Sequence, residues 1–143
     1  MRIALDFDGT LVSMDRPYDD VTTPLEFLPG ALDALRALKA AGHVLLLYSA
    51  RANRALLEDP ELDPLVRAGA RKVDLVEWAR SRDVHQARYD QMLAFASAHL
   101  VGLIDAVDDG RQGKPSVGLF IDDRAVRFTG WAELAFTYGP TVR

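Results

Sequence analysis

Cysteine is absent from the 143 residues, which removes disulfides, thiolate metal sites and cysteine nucleophiles together. Lysine is scarce: Lys39, Lys72 and Lys114 are the only three, so a site that needs an ammonium has few candidates. Positive charge is not in excess. Seventeen Lys and Arg face 21 Asp and Glu, a formal net charge of -4, and nucleic acid or an acidic membrane surface is therefore not the expected partner. No apolar run has the length to cross a bilayer, so no membrane partner is expected. Met1 to Leu5 lacks the basic-then-apolar layout of a signal peptide and enters a strand-like segment directly, so a cytoplasmic location is the expectation. Repeats and low-complexity tracts are missing too. What remains is 49% hydrophobic and 27% charged, an ordinary globular composition, on a length that fits one domain spanning 1–143 with a real core.

Along the chain, short apolar runs alternate with helical patterns. Ile3-Ala4-Leu5 reads as a buried parallel strand stopping at an acidic, glycine-containing turn. Val12 to Phe27 is polar and proline-bearing, a loop or flap. Pro29-Gly30 opens a helix with Leu32, Leu35 and Leu38 on one stripe and Gly42 at its end. Val44 to Tyr48 is the clearest strand. Ala52 to His99 is helical in pattern but broken near Pro60, Pro64 and Gly69, with stripes at Leu75, Trp78 and Ala79 and at Ala87, Met92, Leu93 and Ala96. Leu100 to Ile104 is expected as a third strand, Val117 to Ile121 as a fourth, and Trp131, Leu134, Phe136 and Tyr138 as a short helix and an edge strand. Trp78 and Trp131 are expected in the core, and His43, His85 and His99 on the surface or in packing roles. This order implies an α/β protein with a central parallel sheet covered on both sides, and ligands in such sheets sit beyond the carboxyl ends of the strands.

Three of the four expected strands end in reactive residue types: Asp6-Phe7-Asp8, Ser49-Ala50-Arg51 and Asp122-Asp123. Two carboxylates at i and i+2 can divide labour, one attacking phosphorus and the other moving protons. A divalent cation would offset repulsion between phosphate and carboxylates, and hard oxygen ligands suit Mg²⁺. The further carboxylate comes from Asp122 or Asp123. Ser49 can donate a hydroxyl to a phosphoryl oxygen, or cap a helix, or both. Arg51 and Arg124 can bind substrate or pair with a neighbouring acid.

Asp6-Phe7-Asp8-Gly9-Thr10 resembles the first motif of the haloacid dehalogenase (HAD) superfamily of phosphohydrolases. Ser49 is similar to its second motif, Gly113-Lys114-Pro115 to its third, and Ile121-Asp122-Asp123-Arg124-Ala125 to its fourth, in the expected order. The resemblance implies a HAD-type Rossmann-like three-layer sandwich with the first strand central. It also implies a phosphomonoester hydrolase in which Asp6 becomes an aspartyl phosphate and Asp8 is the general acid/base. Mg²⁺ would be held by Asp6, the main-chain carbonyl of Asp8 and Asp122, with Asp123 beside them. Thr10 and Ser49, with Ala50 and Arg51 next to it, would support the substrate, and Lys114 would bridge the phosphate and Asp6.

Lys114 lies only eight positions before Asp122, which demands a very short connecting strand; otherwise Lys72 takes its role. Neither Leu11 to Leu28 nor Asp105 to Gln112 could form a separate cap domain. An uncapped pocket fits a phosphorylated larger substrate acting as its own lid, or a homo-oligomer in which a second subunit covers the site. The motif strings tilt the substrate towards a sugar-linked phosphate. Phosphotransfer to another acceptor and a polynucleotide 3'-phosphatase activity use the same residues, and a non-catalytic phosphate-binding regulatory domain is the reading from another class.

Overall fold

Arg2–Leu5 forms the first strand, β1, in which Ile3, Ala4 and Leu5 are all buried. A strand buried at consecutive positions must lie inside a sheet, and β1 does. Val44–Leu47, β2, pairs with it in parallel from Arg2↔Val44 to Leu5↔Leu47. Leu119–Ile121, β4, pairs with its other side from Ile3↔Leu119 to Leu5↔Ile121. Ala106–Val107, β3, lies outside β2. The sheet is four-stranded, all parallel, in the order β3-β2-β1-β4, and the chain is an α/β protein. The computed structural model describes residues 1–58 and 75–138. Pro60, Pro64, Gly69 and Lys72, and any edge strand after Tyr138, lie outside the described residues, as do the side chains of Leu75, Phe136 and Tyr138.

Ala31–Ala40 forms α1, with Asp33 in the first turn and Lys39 in the last, each on the favourable side of the helix dipole. Gly42, at φ 82°, follows its last turn and its N–H returns to the Lys39 carbonyl, the left-handed stop that glycine permits. A 3₁₀ turn at Ala50–Ala52 and a short helix, α2 at Arg54–Leu57, follow β2. Leu75–His99 is a long helix, α3, and Trp131–Tyr138 is α4. No helix among the described residues is long and apolar enough to cross a membrane.

The core lies on one face of the sheet. Ile3, Leu5, Leu45 and Leu47 point there, and Phe7, Leu35 of α1, Met92 and Phe95 of α3 and Leu100 close over them. Right-handed crossovers explain this one-sidedness: β1 to β2 and β2 to β3 step in the same direction, so α1 and α3 land on the same side. The return from β3 to β4 carries no helix, and of the opposite face only Ala4 is fully buried, with Leu46 and Phe120 half-covered. Burial on both sides, expected from the continuous apolar β2, is therefore incomplete.

Two expectations are corrected. Leu100 to Ile104 is not a strand: the N–H groups of Leu103 and Ile104 both turn back to the Leu100 carbonyl, with Gly102 at φ 78° making the turn. The third strand begins at Ala106, after Asp105 has taken the Leu45 N–H on its carboxylate and Lys39 as an ion pair at 2.8 Å. Trp131 is 78% exposed and meets Phe128 edge to face, with ring centroids 5.1 Å apart; Phe128 and Val126 before α4 are themselves exposed, so the pair forms no part of the core.

Candidate functional site

The parallel ladder continues one step past each strand, which places the strand-end residues at a common rim. The Asp6 N–H donates to the Ile121 carbonyl at 2.9 Å, the Tyr48 N–H to Leu5 at 2.9 Å and the Asp108 N–H to Leu47 at 2.8 Å. Asp6, Ser49, Asp108 and Asp122 consequently line one cavity of about 640 Å³, a volume suited to a small ligand.

Asp6, Asp122 and Asp123 bring carboxylate oxygens within 4.8 Å of one another. Burial is the main reason that Asp6 is raised from 3.8 to about 6, and the charges of Asp122 and Asp123 push it the same way, against a hydrogen bond from the Phe7 N–H. Local backbone holds the cluster. Asp122 accepts the Arg124 N–H at 2.7 Å, and the Asp123 N–H donates to the Thr10 hydroxyl at 3.1 Å. Gly9, at φ 77°, passes so close that a Cβ there would lie 2.5 Å from an Asp123 oxygen. Three convergent carboxylates without nitrogen or sulfur donors fit a hard divalent cation such as Mg²⁺.

Asp8 belongs to a second, cationic group. Val12 folds back on it: the Gly9 N–H donates to Val12 O, and the N–H groups of Leu11 and Val12 donate to Phe7 O. Both Asp8 oxygens are taken by Arg51, Nε to Oδ2 at 2.7 Å and NH2 to Oδ1 at 2.6 Å. The Arg51 side chain is 3% exposed, lies over the Phe7 ring at 5.1 Å, and gives NH1 to the Arg88 carbonyl and to Gln91 Oε1. Arg51 is thus a substrate-site candidate whose guanidinium is spent on protein partners. Arg88 NH2 approaches the same Asp8 carboxylate at 3.6 Å.

Ser49 caps the 3₁₀ turn by accepting the Arg51 N–H at 3.2 Å, and it lines the cavity beside Ala50. Thr10 stands beside Asp123. Lys114 does not form the expected hydrogen bond with Asp6. It is exposed and its Nζ lies over the Phe120 ring, 4.8 Å from the centroid, although the neighbouring Gly113 lines the cavity. The connecting strand, β4, is as short as the Lys114–Asp122 spacing demands, three residues. Lys72 lies outside the described residues.

The cavity also takes residues the sequence did not single out for it. Helix α3 contributes Arg88 and His85, and the flap contributes Met14 and Tyr18. The flap is fastened to α3: Tyr18 Oη lies 2.6 Å from His85 Nδ1, Arg88 NH1 donates to Tyr18 O at 2.9 Å and Gln91 Nε2 to Thr23 O at 3.2 Å. His85 is therefore a cavity residue as well as a packing one. The spacing His85, Arg88, Gln91 was its available signal, since residues three apart share a helix face. The sequence pattern puts Asp108, with Asp105 and Asp109, in a solvated loop, because the strand that Asp108 follows begins six residues later than that pattern indicates.

No family model matches this chain, and no curated protein matches it. Among solved structures it is similar to a conserved protein from Bacteroides thetaiotaomicron, 24% identical, with 99% of this chain and 93% of that one covered and a TM-score of 0.41.

Proposed function

We propose that this chain is a Mg²⁺-dependent phosphomonoester hydrolase of the HAD type, with a Rossmann-like sheet centred on β1, working through an aspartyl phosphate on Asp6. The observation that carries this reading is the convergence of the Asp6, Asp122 and Asp123 carboxylates at the cavity rim. Asp6, the Asp8 carbonyl and Asp122 would hold Mg²⁺, with Asp123 beside them, and the ion would supply charge neutralisation for the phosphoryl group. The Asp6 carboxylate attacks phosphorus, forming the acyl phosphate as the ester oxygen leaves. Asp8, on releasing one oxygen from Arg51, would transfer a proton to the ester oxygen and later take one from the water that hydrolyses the acyl phosphate. Ser49, at the start of its 3₁₀ turn, and Thr10 would donate hydroxyls to phosphoryl oxygens. Lys114 would join them by rotating off Phe120.

Turnover of p-nitrophenyl phosphate tests the reading. Activity is expected with Mg²⁺, lost in excess chelator and restored by added Mg²⁺. Asp6→Asn should abolish it with the fold intact, and Asp8→Asn should slow it by roughly 10²–10⁴-fold. Near-normal turnover by Asp6→Asn would exclude the covalent route.

A further inference from the structure

The cavity is electrically divided. Asp6, Asp122 and Asp123 form one end, and Arg51 and Arg88 meet at the single carboxylate of Asp8 at the other. Arg51 holds both Asp8 oxygens at 2.6–2.7 Å and donates twice more to protein. Arg88 is differently placed. Its side chain is 11% exposed and, among the described residues, its one side-chain hydrogen bond goes to the Tyr18 carbonyl and its one ion pair is the looser 3.6 Å share of Asp8. Two cations largely withdrawn from water, Arg51 buried and Arg88 partly so, leave a positive charge in excess on one carboxylate, and such a charge without a close partner is costly. Burial and then repulsion from Arg51 press against the charged form of Arg88, outweighing the support it takes from Asp8 and Tyr18. The Tyr18 ring lies against the guanidinium at 4.0 Å, with His85 bonded to the Tyr18 hydroxyl, so the group is fixed in place rather than free to move into solvent. Arg124, the other cavity arginine, is exposed and lies 3.9 Å from Asp123.

Resting on the hydrolase reading above, we propose that Arg88, framed by Tyr18 and His85, binds a second anionic group, a carboxylate or a further phosphate, on the alcohol portion of the substrate. With the phosphoryl group at Asp6, the leaving group extends past Asp8, and an anion there supplies the close partner that Arg88 lacks.

Three probes that differ in one substituent test this: phenyl phosphate, para-carboxyphenyl phosphate and para-phenylene bisphosphate. Their binding to Asp6→Asn protein with Mg²⁺ is measured by calorimetry, and their kcat/KM with the unaltered protein. At least one charged probe should bind about 10-fold or more tighter than phenyl phosphate, the scale of a charge-assisted hydrogen bond, and the tighter of the two identifies the anion. Arg88→Gln should bring the ratio near one, and Arg88→Lys should keep part of it. Equal affinities for all three overturn the proposal even if phenyl phosphate is hydrolysed, and so does a preference that survives Arg88→Gln. A preference in binding with no hydrolysis of any probe supports the anion subsite and overturns the hydrolase reading instead. If Arg88→Gln fails to fold by circular dichroism, the Asp6→Asn ratio and the Arg88→Lys variant decide.

Discussion

Asp6 holds its proton more tightly in the folded protein, at about 6, than in the unfolded chain, at 3.8, chiefly through burial. A carboxyl shifted upwards in this way favours the folded state below 3.8 and loses that contribution as pH rises to about 6. The metal-free protein should therefore lose stability across that window. Asp6→Asn, which cannot ionise, should lose less and be more stable than the unaltered protein at pH 7, as read from urea midpoints without Mg²⁺. The Arg51–Asp8 pair predicts the opposite sign. Arg51→Met would leave Asp8 with only the 3.6 Å contact to Arg88, and removing one partner of a buried pair costs about 3 kcal/mol or more, measurable by the same unfolding curves. The acidic cluster and Ser49 were legible in the sequence because each follows a strand by one or two positions. The Arg88 contacts were not, since Tyr18 is seventy positions away and only the folded flap brings them together.

Elements joined by short connections are where the rim is most sensitive. Gly110, at φ 76° in the loop after β3, packs against the 3₁₀ turn that follows β2, and a Cβ there would overlap the Ala52 carbonyl oxygen. The same loop is fixed by Arg54, whose Nε donates to the Asp109 carbonyl. Gly110→Ala combines left-handed strain with this overlap, so a loss of at least ~2 kcal/mol is expected in thermal unfolding, with displaced Ser49 and Asp108 lowering phosphate-ester affinity. At this scale the sequence indicated α1, β1, β2 and β4 because their apolar patterns are long or end on distinctive residues. β3 was misplaced because two residues, Ala106 and Val107, carry too little pattern to compete with the more apolar Leu100–Ile104. The reach of α3 into the cavity was also hidden: its inward residue Met92 lies on a legible apolar stripe, whereas the polar face that meets the flap resembles any solvated helix face.

For the molecule as a whole, ligands that bind only the folded form raise its stability by mass action. Mg²⁺ at a hundred times its dissociation constant should add ~2.7 kcal/mol, a rise in Tm of roughly 5–10 °C, and Asp122→Asn should shrink the rise at equal Mg²⁺. A Tm insensitive to Mg²⁺ would argue against the acidic cluster as the metal site. The inner position of β1 has a further consequence, for biosynthesis. Ile3 pairs with Leu119, which is synthesised far later, while its β2 partner Leu45 arrives much sooner. At roughly 5–20 residues per second, one edge of the nascent β1 stays open for on the order of ten seconds, long enough to recruit a neighbouring chain. Asp6 is thus made well before its companions Asp122 and Asp123, so a chain stalled between them would carry Asp6 without them.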